Sequence, residues 1–227
     1  MDISEDKKQK AVNQVLYGNK FKVTFSLSGV VLDQFELYAR DVLDSFKKLA
    51  DTGCVEFLAE TYSHSLVALK DKEEFIKQVK EHTGRINHYF NQEPKVFRNT
   101  ELIYSDEIGA QVYEMGFKAI LTEGAKHVLG WKSPNYLYYN AVNPRLKVLL
   151  KNFKLSDDIA FRFSNKGWPE YPLTAEKYAG WLSNLDKKEE IINLFMDYET
   201  FGEHQWIDTG IFDFLKALPG VIFKKTD

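Results

Sequence analysis

A chain of 227 residues is long enough for one large domain with its own core, or at most two small ones. Hydrophobic content of 44% and charged content of 28% are ordinary for a soluble globular protein, and a formal net charge of −3 offers no basic field for nucleic acid or an anionic membrane. The single cysteine, Cys54, excludes an internal disulfide and a cysteine-based metal site, no apolar run approaches the roughly 18 residues of a membrane span, and the polar start MDISEDKKQK is no signal peptide, so a cytoplasmic protein is expected.

Residues 6–17 read as a short helix ending at Gly18. FKVTFSL, residues 21–27, is a near-continuous apolar strand broken by Gly29. Beyond it, apolar residues recur three and four apart and predict one helix as far as the stop at Gly53. CVEFLAE is the next strand, and DKEEFIKQVKEHTGRINHYF is an amphipathic helix with Asp71 as N-cap and acids in its first turn. KVFRN is a third strand, SDEIGAQVYEMG a helix from Ser105 to Gly116, and FKAILTEG a fourth strand. YLYYNAVNPRLKVLLKN predicts two strands around an Asn143-Pro144 turn. SDDIAFRFS and TAEKYAGWLSNLDKK read as helices opened by Ser and Thr caps. EIINLFMDYE reads as the last strand, with a helix around residues 209–217 after it.

Strands alternating with helices, apolar on both faces, predict an α/β fold with parallel strands and crossover helices. An open doubly wound sheet and a closed or nearly closed barrel both fit. No Gly-x-Gly-x-x-Gly and no phosphate-binding Gly-Lys-Ser/Thr loop follows a strand, so no nucleotide cofactor is expected.

In both architectures function gathers beyond the C-terminal ends of the strands. The ends read Ser26-Leu27-Ser28, Glu60-Thr61-Tyr62-Ser63-His64, Arg98-Asn99-Thr100-Glu101, Thr122-Glu123 and Asp197-Tyr198-Glu199. Four of the five carry an acid. Any one acid has an ordinary explanation, such as a helix cap for Glu123 or solvated surface for Glu203. The recurrence points to chemistry. Five histidines are present, but no His-x-x-x-His or His-Glu-x-x-His occurs, so no metal site is expected. Gly-x-Ser-x-Gly is absent too. Carboxylates accompanied by histidine, in a chain that is 15% aromatic, suit acid/base work on a neutral polyhydroxylated substrate. Glycoside hydrolysis uses such a carboxylate pair.

The segments GCVEFLAETYSHS, VFRNTELIYSDEIG and NLFMDYETFGEHQ resemble signature regions of glycoside hydrolase family 57, closest to its α-amylase-like members. LTEGAKHVLGWKSPNYLYYNA and LKNFKLSDDIAFRFS extend the resemblance over almost the whole chain. It implies an incomplete (β/α)7 barrel, a single catalytic-barrel domain over 1–227, and action on α-1,4-glucans or maltooligosaccharides with retention and no cofactor. By resemblance the nucleophile is Glu101 and the general acid/base Asp197. His64, Glu60, Trp131, Asp158, Arg162, Tyr198 and Glu199 fall in stretches similar to substrate-binding segments. The family's first-strand His-Gln-Pro motif does not occur, and the chain stops at LPGVIFKKTD, so a barrel truncated at its first strand and lacking the C-terminal helical region is expected. Two alternatives accompany this reading: a 4-α-glucanotransferase, and a truncated non-catalytic remnant that binds glucan. A metal-dependent polysaccharide deacetylase of similar barrel type would need an Asp and paired histidines that the sequence does not offer.

Overall fold

The computed structural model describes residues 21–184, 186 and 188–226. The helix expected at residues 6–17 lies outside them. The chain divides into two compact units, Lys22–Lys151 and a second that runs on from Asn152.

The first unit alternates strands and helices as expected. β1, Val23–Phe25, leads into α1, Gly29–Tyr38, and α2, Arg40–Asp51. The sequence predicts one helix here; Ala39, at φ −146° and ψ 56°, splits it into two. β2, Val55–Phe57, is followed by α3, Lys72–Phe90, whose N-cap Asp71 accepts from the backbone N–H groups of Glu73 and Glu74 as the sequence suggests. β3, Val96–Arg98, precedes α4, Asp106–Glu114, capped by Ser105. β4, Ala119–Glu123, precedes the single-turn α5, Lys126–Leu129. β5, Tyr138–Tyr139, and β6, Lys147–Lys151, form the pair predicted around Asn143-Pro144.

β1 and β2 pair in parallel, with Val23 opposite Val55. A second sheet runs β3-β4-β6-β5, parallel except for the β5–β6 pair. Just past β2, a single parallel bridge between Ala59 and Phe97 joins the edges of the two sheets. The sheets do not close on themselves. All five parallel-paired strands therefore point their C-terminal ends the same way, and residues 26–28, 58–64 and 99–103 emerge along one rim.

Packing is aromatic-rich. Phe57 and Phe90 stack with centroids 3.9 Å apart, and Phe25 meets Phe46 edge-on at 5.2 Å. Phe97, Phe75 and Phe117 cover the second sheet together with Ile120, Val148 and Leu150. Full burial of such side chains is worth about 1.5–3 kcal/mol each.

The second unit is mostly helical: α6, Phe153–Ala160, α7, Ala175–Ser183, and α8, Ile211–Thr226. α7 has the expected Thr174 cap. α6 does not start at Ser156. Asn152 caps it by accepting from Leu155 N–H, and Ser156 is buried within the helix. Tyr178 of α7 meets Phe214 of α8 edge-on at 5.8 Å, over a core of Leu155, Ile159, Phe163 and Ile211. The strand predicted for EIINLFMDYE is reduced to a lone bridge at Asn193. Asn152 N–H reaches the Asn193 carbonyl at 2.9 Å, but two residues on the Phe195 N–H is taken by the Ser156 hydroxyl at 3.1 Å. A side chain has replaced the next backbone partner, so the ladder ends there.

Gly124 tests the joint between β4 and β6. A Cβ there would stand 2.4 Å from the Lys151 carbonyl oxygen and 2.9 Å from Pro134 Cβ. Backbone cannot rotate aside, so Gly124→Ala is expected to cost about 1–3 kcal/mol, read as a lower urea midpoint with unchanged slope.

Candidate active site

Along the rim of the first unit a set of polar side chains converges on Glu60, which is only 1% exposed. Ser26, just past β1, donates its hydroxyl to Glu60 Oε1 at 2.7 Å. His64 Nδ1 lies 2.9 Å from Glu60 Oε2, and Arg98 Nη1, at the end of β3, lies 3.9 Å from the same oxygen. From α3, His82 Nδ1 accepts the Glu60 backbone N–H at 3.4 Å while its Nε2 meets the Leu27 carbonyl at 2.7 Å. A carbonyl can only accept, so Nε2 carries the proton and His82 is the neutral tautomer.

Burial acts to raise the Glu60 pKa, but hydrogen bonds from His64 and Ser26 outweigh it and hold the carboxyl below its usual range. The bond to Glu60 raises the His64 imidazole above its ordinary 6.5, against its own partial burial and the nearby Arg98. Desolvation lowers His82 below 6.5, with the Leu27 carbonyl and the Glu60 charge opposing it.

The far side of His64 points at Glu101. His64 Nε2 lies 3.3 Å from Glu101 Oε1, and the Glu101 side chain is 72% exposed. Imidazole thus bridges a buried carboxylate and an open one. Glu101 sits in a 3₁₀ turn, Thr100–Leu102, with φ +52° and ψ 24°. Leu102 is also left-handed at φ +55°, and His64 at φ +51°. Left-handed backbone at residues other than glycine costs on the order of 1 kcal/mol or more each and concentrates at functional sites. Neighbouring bonds hold the turn: Asn99 Nδ2 donates to the Ile103 carbonyl at 3.0 Å, and Thr122 Oγ1 of β4 donates to the Leu102 carbonyl at 2.8 Å. Thr61 and Thr100 bring their hydroxyls within 3.1 Å beneath it.

In the second unit Asp197 is exposed and immediately precedes a 3₁₀ turn, Tyr198–Thr200. The following loop is closed by its own backbone. Glu203 and His204 N–H groups both bond the Glu199 carbonyl, and Gln205 N–H bonds that of Thr200. Buried Gln205 then ties the loop to α6 through the Ala160 carbonyl at 2.9 Å. Glu199 is exposed and Tyr198 half-buried. Asp158 is 3% exposed and pairs with Arg162 Nε at 2.7 Å. Trp131, in the first unit, is 86% exposed beyond α5.

Glu60, His64 and Glu101 are therefore gathered into one cluster, Trp131 is an exposed residue of the same unit, and Asp158, Arg162, Asp197, Tyr198 and Glu199 belong to the second unit. Sequence reading left Ser26, His82 and Arg98 out of the site. Ser26 and Arg98 stand at strand ends and were findable by position. His82 lies mid-helix, and its role comes from a tertiary contact with no local signal. Among the described residues, no group of three or more His, Cys, Asp or Glu side chains is placed to hold a metal ion, and no helix is long and apolar enough to cross a membrane.

The model of glycosyl hydrolase family 57 matches residues 4–226. The chain belongs to this family. A relative from Methanocaldococcus jannaschii, described as a "Putative alpha-amylase", is 52% identical over 205 residues, covering 90% of this chain and 43% of its own length. The chain thus spans under half of that relative. The 4-α-glucanotransferase of Thermococcus litoralis superposes with a TM-score of 0.76 over 94% of this chain and 33% of its own, at 19% identity. An exo-type maltose-forming amylase from Pyrococcus sp. ST04 gives 0.72 over 97% and 37%, at 12% identity. At such identities the two superpositions establish the fold alone.

The two histidines of this family 57 rim have opposite pH signatures. Unfolded His82 takes a proton near 6.5 that the folded protein resists, so stability falls as pH drops below 6.5 towards the lower folded value. His64 favours the folded state fully below 6.5, and that contribution fades as pH rises through its higher folded value. Glutamine in place of His82 keeps an acceptor for Glu60 N–H and a donor for the Leu27 carbonyl. In urea unfolding, His82→Gln is expected to flatten the loss of stability across the acid window below pH 6.5. A slope equal to that of the wild type across this window rules the assignment out.

Proposed function

We propose that the protein is a retaining glycoside hydrolase acting on α-1,4-glucans, α-amylase-like, through a glycosyl-enzyme on Glu101 with Asp197 as acid/base. The observation that carries it is the contrast between two carboxylates joined by one imidazole. Glu60 is buried and engaged by Ser26 and His64, so it is not placed to attack, and its part in binding runs through the imidazole it holds. Glu101 is open, presented on a left-handed turn, and held at one oxygen by His64. An attacking carboxylate needs that accessibility and a fixed direction. Membership of family 57 supports assigning the second role to Asp197, which is exposed on a backbone-closed loop.

In the proposed reaction Glu101 attacks the anomeric carbon while Asp197 protonates the departing glycosidic oxygen. Asp197 then takes a proton from the incoming water, which cleaves the ester and returns Glu101. His64, Glu60, Trp131, Tyr198, Glu199, Asp158 and Arg162 are assigned to substrate binding. The reading places these residues in an incomplete (β/α)7 barrel that forms a single catalytic domain over 1–227 of a cytoplasmic protein, with no cofactor. A sugar hydroxyl in place of water makes the same intermediate a 4-α-glucanotransferase. The fold shared with the Thermococcus litoralis enzyme is compatible with that second reading.

Reducing-sugar release from maltoheptaose is the measure. Glu101→Gln and Asp197→Asn are each expected to lower kcat at least about a hundredfold, the usual scale for an acid/base or covalent catalyst. Wild-type rates in either variant rule the mechanism out. Oligosaccharides longer than the supplied one, separated by chromatography, identify transfer.

A further inference from the structure

The turn that carries His64 is fastened on both sides. On one side, Tyr62 donates its hydroxyl to Asp33 Oδ2 of α1 at 2.6 Å. Its carbonyl accepts the Val30 N–H at 3.2 Å, one of the first-turn donors that no carbonyl of α1 can reach. The Tyr62 ring lies against Gly29, where a Cβ would stand 2.5–2.6 Å from three ring carbons. Asp33 is itself held by Arg85 of α3, which also bonds Glu36. On the other side, Gln78 of α3 accepts the Ser65 hydroxyl at 2.9 Å, and the same oxygen lies 3.5 Å from the Ser63 N–H. Its Nε2 donates to Glu74 at 3.1 Å, which fixes the amide's orientation.

Between these anchors His64 takes φ +51°, a conformation that persists in a residue with a side chain only where its surroundings impose it. The direction of its Cβ follows that angle. A relaxed turn would swing the imidazole away from Glu60 Oε2, 2.9 Å from Nδ1, and from Glu101 Oε1, 3.3 Å from Nε2. Hydrogen bonds weaken steeply with misalignment, so both contacts depend on the turn. The turn is also joined to that of Glu101, because the Thr100 hydroxyl donates to the Ser65 carbonyl at 2.9 Å.

We propose that Tyr62 and Gln78 are positioning residues: the bond from Tyr62 to Asp33 and the bonds from Ser63 and Ser65 to Gln78 hold the turn 61–65 so that the His64 imidazole stands between Glu60 and Glu101. They act through His64 and touch no substrate. The catalytic consequence rests on the proposed function, since it takes Glu101 as the nucleophile. The orientation of the imidazole does not.

The test is an NMR titration of the histidine rings in the full chain, with the His64 signal identified by its loss in His64→Gln. Tyr62→Phe and Gln78→Ala remove none of the charged groups that face the ring, Glu60, Arg98 and Glu101, so a shift reports displacement of the imidazole. Each is expected to bring the raised His64 pKa back towards 6.5. Gly29→Ala keeps the Tyr62 hydroxyl but drives its ring off α1, and the same shift is expected. If Tyr62→Phe does not fold, as judged by urea unfolding, Gln78→Ala decides. A wild-type His64 titration in a folded Tyr62→Phe or Gln78→Ala variant overturns the proposal. In maltoheptaose hydrolysis, Tyr62→Phe is expected to lower kcat about tenfold with KM little changed. A displaced imidazole with unchanged kcat in an active enzyme overturns the catalytic role. A displaced imidazole in a chain whose wild type shows no turnover supports the positioning and sinks only the proposed function. Wild-type turnover with an undisplaced imidazole in the variants sinks the positioning alone.

Discussion

A carboxylate taken out of water must be repaid in hydrogen bonds, and the rim of the first unit is organised around that need at Glu60. Its partners come from separate places in the chain: Ser26 past β1, His64 four residues on, and His82 from α3 by way of the backbone N–H. Arg98 past β3 adds an opposite charge. Removing Ser26 or His64 leaves a buried charge short of compensation. The segments beyond β1, β2 and β3 are therefore tied together by polar contacts at the end where the apolar core no longer reaches.

The same arrangement explains a division of labour between two acids 41 positions apart in the chain. Glu60 supplies charge without access, and Glu101 supplies access with little burial. His64 stands between them, and its elevated pKa means that Glu60 helps to keep a proton on the ring that faces Glu101. A positive or proton-donating neighbour steadies an anionic carboxylate and fixes where it points. In the second unit the equivalent economy is mechanical. The loop after Asp197 bonds to itself and to α6 through one buried glutamine, so an exposed acid is carried on a backbone with few ways to move.

Much of this was readable from residue order. Period and punctuation located the parallel strands of the first unit, the caps Asp71, Ser105 and Thr174, and the pair around Asn143-Pro144, because each is a local preference. What escaped was set by distant partners. Ala39 splits a helix whose apolar spacing runs straight through. Ser156 looks like a cap but spends its hydroxyl on Phe195, which also ends the strand expected at residues 190–199. The acids Glu60 and Glu101 were visible as strand-end residues, whereas the left-handed backbone at Glu101 and Leu102 was not, since neither residue type advertises it. His82 was legible only as part of a helix. Family 57 membership, by contrast, was carried by short runs such as FRNTELIYS and FMDYETFGE, where side-chain identity matters more than periodicity.

The bond from Thr122 to the Leu102 carbonyl has a consequence for folding fidelity. Thr122 lies within β4, opposite Leu150 of β6. A slip of one residue in that pairing would turn its hydroxyl to the opposite face of the sheet. The left-handed turn beneath Glu101 would then lose its clamp and relax to cheaper angles. A misregistered sheet is thereby coupled to a misplaced Glu101: molecules that pair their strands wrongly lose the left-handed presentation of that side chain at the same stroke, and it arrives only after the long-range pairing has been checked.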